Sequence, residues 1–349
     1  MSKNLIVGVD VGGTFTDVFI LDETSSSVSV AKVPTTPKDQ SVGFLNGIQG
    51  KIDELSNVAT IIHGTTVATN ALLERKGAKT GVITSKGFKD VLEMRRRDRP
   101  NTWGLWGEFK PVVPRDLRLE VRERVLANGT VREFVNIDEI KETARKLLEE
   151  GCEALSIIFI NSYANDENEK SAKDAIQEIW PNEHITVSSE ILPEIREFER
   201  ASTATLNAVL QPVLSHYLGA LEEKLTNRGF LGQALIVQSN GGVMSVDNAK
   251  VLPIKTALSG PAAGVIAASY IGVNAGYPNI VSCDMGGTSF DVSLISDGQS
   301  KLSAQTSIDF GMVVRSPMVE IITIGAGGGS IASVDAGGLL QVGPESAGS

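Results

Sequence analysis

One octapeptide pattern occurs twice in the chain and combines aspartate, glycine and threonine in a way that suits phosphate chemistry. Residues 10–17 read Asp-Val-Gly-Gly-Thr-Phe-Thr-Asp and residues 284–291 read Asp-Met-Gly-Gly-Thr-Ser-Phe-Asp, so both match D-x-G-G-T-x-x-D. A glycine pair lets the backbone turn with positive φ and approach another molecule, and its free N–H groups can bind an anion. An aspartate repels a phosphate at close range, so we expect Asp10 and Asp284 to hold Mg²⁺ through water or to orient an attacking group.

The pattern could also be a simple turn, because Asp and Gly are common turn residues. Agreement of two distant copies at every defined position favours a shared function instead. Strand-like runs flank both copies, at residues 5–10 and 18–21 and at residues 279–284 and 291–295. Each copy is therefore predicted to form the tip of a β-hairpin rather than a strand-to-helix turn. Two such hairpins could hold a polyphosphate and its metal from both sides.

The twin hairpins resemble the two phosphate loops of the superfamily that contains actin, the heat-shock chaperone ATPases and the sugar kinases. Further motifs, in their order along the chain, are similar to the A subunit of the hydantoinase/oxoprolinase family, and they cover residues 8–18, 63–70, 192–200, 238–242, 258–264 and 325–332. The resemblance implies an α/β fold of duplicated actin-like ATPase (ribonuclease H-like) domains, with mixed sheets, flanking helices and an ATP cleft between the domains. It implies ATP and Mg²⁺ as cofactors.

The resemblance also implies roles for single residues. Asp10 is expected to hold Mg²⁺ through water, and Asp284 to orient or deprotonate the nucleophile that meets the γ-phosphate. The loop residues expected to bind the phosphates are Gly12, Gly13 and Thr14 in the first hairpin and Gly286, Gly287 and Thr288 in the second. Asp17 and Asp291 could be structural, because a side chain after a tight turn often accepts hydrogen bonds from its own loop.

A glycine-rich run near the end of the chain is the candidate adenosine loop. It contains Gly325, Gly327, Gly328 and Gly329, and such a loop lets the backbone approach a flat ring. Glycines also serve flexible or tightly packed turns, but the position after two phosphate hairpins matches the adenosine motif of the superfamily. Residues 259–264 could place a helix N-terminus near an anion, and close packing of a small-residue helix is the alternative.

Substrate contacts are predicted first at His63, Thr65 and Thr66. These residues lie where a predicted strand ends and a helix begins, and ligand sites of α/β proteins collect at such junctions. A buried structural histidine is the alternative interpretation.

Arg95 is the second candidate for a substrate contact. It leads an arginine cluster at residues 95–99, and guanidinium groups could pair with a carboxylate or a phosphorylated intermediate. A solvated loop or a subunit contact would explain the cluster equally well. Trp103 and Trp106 beside it favour an interface or the lip of a pocket.

Composition excludes several other classes of protein. The 32 Lys and Arg against 42 Asp and Glu give a net charge of −10, which argues against a nucleic-acid or anionic-membrane surface. Cys152 and Cys283 are predicted to be buried, and they support neither a disulfide framework nor a cysteine-rich metal site. The three histidines have no metal-ligand spacing, so zinc is not expected. The start of the chain lacks a signal-peptide core, and the uncharged stretch 256–283 is broken by Gly and Pro, so we expect a cytoplasmic protein outside the membrane.

Length and helical patterning predict two domains. The 349 residues have room for two cores, and a long helical pattern at 197–227, with a bend expected at Pro212, would open the second. We therefore assign residues 1–195 to an N-terminal domain with the first hairpin and residues 196–349 to an incomplete second domain with the second hairpin and the adenosine loop. Family A subunits are about twice as long, so we expect the chain to be part of a longer polypeptide.

The predicted function is ATP-dependent hydrolysis of a cyclic amide, such as a hydantoin, 5-oxoproline or a related lactam, through phosphorylation of the amide oxygen. The alternatives are a subunit of an ATP-dependent ketone carboxylase, a small-molecule kinase and a nucleotide-gated binding module. The resemblance implies a partner of the hydantoinase B type, and a hetero- or homo-oligomer.

Overall fold

The computed structural model describes residues 4–12, 15–36, 40–52, 54–98, 109–287 and 289–347. The helices are α1 (Gln40–Gln49), α2 (Val67–Leu73), α3 (Val91–Met94), α4 (Ile137–Glu149), α5 (Glu167–Gln177), α6 (Ser188–Ile191), α7 (Glu197–Asn227), α8 (Val246–Val251) and α9 (Ser259–Asn274). The strands are β1 (Leu5–Val11), β2 (Phe15–Asp22), β3 (Ser27–Pro34), β4 (Val58–Thr65), β5 (Thr80–Ser85), β6 (Arg118–Val121), β7 (Arg124–Val125), β8 (Val131–Glu133), β9 (Ala154–Ile158), β10 (Ile185–Val187), β11 (Gln233–Val237), β12 (Val243–Ser245), β13 (Ile280–Met285), β14 (Phe290–Ser296), β15 (Gln299–Ser300), β16 (Leu302–Ser303), β17 (Thr306–Asp309), β18 (Met312–Val314), β19 (Met318–Val319), β20 (Ile322–Ile324), β21 (Ser330–Val334) and β22 (Leu340–Ser346).

Sheet one carries the first hairpin, with strand order β12-β11-β4-β1-β2-β3. β2 runs antiparallel to β1 and β3, whereas β4 runs parallel to β1. Alternate side chains such as Val7, Val9 and Val18 point into a core beneath α1 and the end of α7, as the period of two in a half-buried strand requires. Asp10 and Asp17 lie on the other face.

Sheet one also contains strands from far along the chain. β11 pairs with β4 in parallel and with β12 in antiparallel fashion, so residues 233–245 join the sheet that carries the first hairpin. A division at residue 195 would cut this sheet. The change of sheet occurs instead at α9, because β13 after it belongs to a different sheet. Backbone pairing over such a sequence distance leaves no local signal in the sequence.

Sheet two, with strand order β10-β9-β5-β6, is parallel throughout. Every residue of β9 is buried, as expected of a parallel strand covered on both faces. The N-terminal half of α7 is buried on all sides, whereas after Pro212 the buried residues Leu214, Leu218, Leu221 and Leu225 follow one face. This single helix therefore contributes to the cores of both sheets.

Sheet three carries the second hairpin and consists of β13, β14, β15 and β20. The cross-strand pairing places eight apolar residues on one face, which we call the sheet-three face: Val281, Cys283, Met285, Phe290, Val292, Leu294, Ile322 and Ile324. Most of them are exposed, for example Leu294 at 63% and Met285 at 62%. The prediction that Cys283 is buried is therefore wrong, because its strand has one uncovered face in the described chain, whereas Cys152 is buried.

A hairpin of β17 and β18 leaves the region of sheet three and packs on α7. The Ser202 hydroxyl donates to the Val313 carbonyl at 2.7 Å, and the Arg315 N–H donates to the Thr203 hydroxyl at 2.9 Å. At the tip, Phe310 packs against Phe109. The region of sheet three is therefore connected to the earlier part of the fold twice, through α9 and through the β17–β18 hairpin.

The Asn128-Gly129 turn joins β7 and β8, with Gly129 at φ +84°. No helix in the described ranges is long and apolar enough to cross a membrane.

Candidate active site

The two D-x-G-G-T-x-x-D copies form hairpins of the same geometry. Asp10 pairs with Asp17 across β1 and β2, and Asp284 pairs with Asp291 across β13 and β14. At each tip the N–H of the first glycine donates to the carbonyl three residues later. Gly12 donates to Phe15 at 3.0 Å, and Gly286 donates to Ser289 at 2.9 Å. The predicted hairpins are therefore present. Gly13, Thr14 and Thr288 lie outside the described residues.

Carboxylates from both hairpins line one cavity of about 560 Å³. Asp10 and Asp17 come from the first hairpin and Asp284 from the second, while Gly64 and Gly260 contribute backbone to the wall. The surrounding protein limits hydration of the Asp10 carboxylate and raises its pKa to about 6, and the negative charges of Asp17 and Asp284 add to this effect. The cavity is therefore a site where a cation or a proton would relieve repulsion.

The last aspartate of each octapeptide contacts a neighbouring strand. Asp17 pairs with Lys32 of β3 at 3.1 Å, and Asp291 accepts a hydrogen bond from the Thr323 hydroxyl of β20 at 2.5 Å. These contacts differ from the predicted bonds to the loop's own amides. They agree with a structural role, because each one joins the hairpin to the strand beside it.

The glycine-rich run lies directly against the second hairpin. The N–H groups of Gly328 and Gly329 donate to the carbonyls of Gly286 and Gly287 at 2.9 and 2.8 Å. A Cβ at Gly327 would lie 2.5 Å from the Gly286 carbonyl oxygen. The run therefore supports the hairpin by close backbone packing, and its two engaged N–H groups are not available to a nucleotide. An adenosine contact by Gly325 and its neighbours stays a prediction.

Gly327→Ala should lower the free energy of unfolding by about 1–3 kcal/mol, because the added methyl group must push the two loops apart. Gly325→Ala is the matched control, since a Cβ there meets nothing within 4 Å. Urea denaturation of both variants measures the difference. Equal stability of the two variants would contradict the packing described here.

His63 is buried, with 1% of its surface exposed. Its Nδ1 lies 3.2 Å from the Val9 carbonyl and must donate to it, so Nε2, at 2.9 Å from the Tyr217 hydroxyl, accepts. Burial lowers the His63 pKa to about 4 and keeps the ring neutral. The ring also packs edge-on against Phe44, on the face of sheet one away from the cavity. The predicted substrate role of His63 does not fit this position, and the structural alternative does.

The two threonines after His63 differ in their access to the cavity. Thr65 is fully buried, and its carbonyl accepts a hydrogen bond from the Ser259 hydroxyl at 3.1 Å. Thr66 lines the cavity, and its hydroxyl donates to the Val11 carbonyl at 3.1 Å. A substrate contact by Thr66 is therefore compatible with the structure.

The Arg95 guanidinium lies between two aromatic rings, 4.2 Å from the Phe109 centroid and 4.4 Å from the Phe310 centroid. Such stacking is a stabilising cation–π arrangement. Arg96 beside it binds the buried Glu199 carboxylate of α7, with Nε at 3.0 Å. The structure gives Arg95 a packing role that local sequence could not show, because Phe310 is distant in sequence, and a substrate contact by Arg95 stays a prediction. Trp103 and Trp106 lie outside the described residues.

The residues present fit a magnesium ion only together with phosphate oxygens. Mg²⁺ is usually bound by one or two carboxylates, substrate phosphates and several waters, and Asp10 at the cavity wall can supply one such carboxylate. Among the described residues, no group of three or more His, Cys, Asp or Glu could hold a metal by itself. Asp10 is thus the candidate ligand, directly or through water.

Residues 6–180 match the family described as the hydantoinase/oxoprolinase N-terminal region, and residues 200–349 match the hydantoinase/oxoprolinase family. The acetophenone carboxylase gamma subunit of Aromatoleum aromaticum is 35% identical over 98% of this chain and 50% of its own length. The 5-oxoprolinase of Saccharomyces cerevisiae is 32% identical over 99% of this chain and 30% of its own length. The chain thus spans about half of the first relative and less of the second.

A solved structure, the ATP-dependent caprolactamase from Pseudomonas jessenii, superposes with a TM-score of 0.87 at 31% identity, over 98% of this chain and 51% of that one. The mixed sheets with flanking helices are those of an actin-like ATPase fold, so the predicted fold class is confirmed.

Proposed function

Because this chain belongs to the hydantoinase/oxoprolinase family, we propose that it forms the nucleotide-binding part of an ATP-dependent enzyme that opens cyclic amides. The observation that carries the proposal is the pair of hairpins of equal register whose first aspartates, Asp10 and Asp284, line one cavity. ATP placed between the hairpins would have its phosphates near backbone N–H groups and near a carboxylate able to take part in metal binding.

The proposed reaction makes a poor electrophile reactive. The amide oxygen attacks the γ-phosphorus, the bond to the β-phosphate oxygen breaks, and ADP leaves. Water then adds to the activated carbon, and the ring C–N bond breaks as the nitrogen takes up a proton, which leaves an amine and an acyl phosphate. A second water hydrolyses the acyl phosphate to a carboxylate and phosphate. Asp284 would orient the nucleophile or accept its proton, and Asp10 would hold Mg²⁺, which neutralises phosphate charge. The Gly12 and Gly286 loops would bind the phosphates.

Mg²⁺-dependent ATP affinity should fall as the pH decreases through about 6, the Asp10 pKa. The pKa is raised, so protonated Asp10 predominates below that pH and cannot attract the metal, whereas above it the carboxylate is charged. Calorimetric titration at about pH 5 and about pH 7.5 measures the change. Asp10→Asn is the control, because the nucleotide's own titration is common to both proteins. An equal pH dependence in the two proteins would assign the effect to the nucleotide alone.

A ketone carboxylase subunit is the second candidate. The 35% identity to the acetophenone carboxylase gamma subunit favours it. The same phosphoryl transfer would then activate an enolate or bicarbonate.

The discriminating experiment is a panel of cyclic amides and ketones tested for stimulated ADP release, using the protein purified from its host with any co-purifying subunits. A hydrolase releases ADP and phosphate together with ring opening, and a carboxylase requires bicarbonate. A kinase leaves phosphate on its substrate, and a nucleotide-gated module turns over slowly without a co-substrate. Failure of every amide and ketone to stimulate ADP release would overturn the proposal.

We also propose that a hydantoinase B-type subunit completes the enzyme. The relatives that are named as subunits support an assembly, and the sheet-three face leaves apolar side chains exposed, as protein contact surfaces do. A cytoplasmic location stays a prediction.

A further inference from the structure

The Asp10 carboxylate lies between two glycines that come from different elements. Gly64 is its parallel neighbour on β4, and a Cβ at Gly64 would lie only 2.8 Å from Asp10 Oδ1. Gly260 lies in the first turn of α9, and a Cβ there would lie 3.3 Å from the same oxygen. A side chain at position 64 would therefore force the Asp10 carboxylate or the backbone to shift, and one at position 260 would make a tight contact with the same oxygen.

The backbone does not itself require glycine at either position. Neither Gly64 nor Gly260 is among the residues with positive φ, so alanine could adopt both conformations without strain. What glycine supplies here is space beside the carboxylate. The effect of a substitution should therefore be steric and directed at Asp10.

Two hydrogen bonds hold the start of α9 in this place. The Ser259 hydroxyl donates to the Thr65 carbonyl at 3.1 Å, and the Leu258 N–H donates to the Thr69 hydroxyl at 2.9 Å. Thr65 ends β4 directly after Gly64, and Thr69 lies in α2, the next helix. These bonds therefore fix β4, which carries Gly64, and α9, which carries Gly260, to each other beside Asp10.

We propose that Gly64 and Gly260 are positioning residues for Asp10, which together fix its Oδ1 and leave the remainder of the carboxylate facing the cavity. The metal would then meet a carboxylate with one restrained oxygen, and this inference rests on the proposed function. Because α9 leads into β13 and Asp284, the Gly260 contact also relates the position of the first aspartate to that of the second.

The test uses Gly64→Ala and Gly260→Ala, with Gly219→Ala as the control. Gly219 lies in α7, away from the residues that line the cavity, and a Cβ there meets nothing within 4 Å. We expect Mg²⁺-ATP affinity to fall at least about ten-fold, equivalent to about 1.4 kcal/mol, for Gly64→Ala. A smaller loss is expected for Gly260→Ala, since its contact is longer, and a change within about two-fold for Gly219→Ala.

A double-mutant cycle separates positioning from general damage. Asparagine has the shape of aspartate, so in the Asp10→Asn background the Cβ added by Gly64→Ala should still clash with the side chain at position 10. The informative background is Asp10→Ala, which lacks the oxygen that this Cβ would meet. There, Gly64→Ala should cause no further loss of affinity. Equal losses with and without the Asp10 side chain, or no loss in either, would overturn the inference.

A second readout does not depend on nucleotide binding. A crystal structure of Gly64→Ala should show the Asp10 carboxylate displaced from its wild-type position, because the new Cβ would lie 2.8 Å from Oδ1, whereas Gly219→Ala should keep that position. An Asp10 carboxylate that stays in place in Gly64→Ala would contradict the inference. Failure of the wild type to bind Mg²⁺-ATP would refute the proposed function and leave this structural comparison as the test.

Discussion

Asp284→Asn is expected to reduce coupled ADP release by about 10²–10⁴-fold, the usual contribution of a positioned acid or base. Asparagine keeps the size of the side chain but cannot accept a proton. Asp284 is exposed to the cavity at the end of β13, so the replacement disturbs no packing. Affinity for Mg²⁺-ATP should stay within a few-fold, because the residue acts on the reacting group rather than on binding. Single-turnover kinetics with a substrate from the panel, together with calorimetric titration, measure both quantities.

Asp291→Asn provides the control for this prediction. Asp291 lies directly opposite Asp284 but accepts a hydrogen bond from Thr323, so its replacement should leave most of the turnover intact. Near-wild-type ADP release by Asp284→Asn would show that another residue orients the nucleophile.

Gly286→Val is expected to abolish measurable Mg²⁺-ATP binding while leaving the fold intact. A Cβ at Gly286 would lie 3.7 Å from the Ser289 carbonyl oxygen, an ordinary contact, and Gly286 does not have positive φ. The loop therefore has room for a Cβ at this position, whereas a phosphate that approaches the loop would meet the added methyl groups. Loss of affinity would then report on the ligand side of the hairpin alone.

Thermal unfolding with and without nucleotide measures this effect. In the wild type, ligand at a hundred times its dissociation constant should add about 2.7 kcal/mol, and in Gly286→Val the increment should vanish at an unchanged melting temperature of the free protein. Asp10→Asn should reduce only the part of the increment that depends on Mg²⁺. Full stabilisation of Gly286→Val by ATP would remove this hairpin from the nucleotide site.

Local chemistry explains which parts of the site the sequence predicts. The hairpins depend on turn residues and strand patterns within about a dozen positions, and their geometry agrees with the prediction. The roles of His63 and Arg95 depend on Tyr217 and Phe310, which lie far away in the chain. Sequence periodicity does not identify such distant partners. A motif residue that stabilises the fold therefore cannot be distinguished, from the sequence, from one that contacts a ligand.

The same limit applies to larger features. The boundary at residue 195 stays a prediction that falls between the two family ranges, 6–180 and 200–349. The sequence does not show that α7 serves two cores or that β11 returns to the first sheet. Cys283 has the sequence setting of a buried strand, and only the pairing of the whole sheet shows that its side is uncovered. Gly64 and Gly260 belong to two of the sequence motifs, but only the structure shows that both lie beside Asp10.

The hairpin of β17 and β18 has a consequence for how the molecule melts. Two halves joined by one helix can lose their structure separately, and calorimetry then shows two overlapping peaks. Here the Val313 and Arg315 backbone is bonded to Ser202 and Thr203 in the N-terminal part of α7, so the later strands cannot detach without exposing the core of the earlier ones. We expect a single cooperative transition, with equal calorimetric and van't Hoff enthalpies. Replacing the hairpin by a short flexible linker should divide that transition in two.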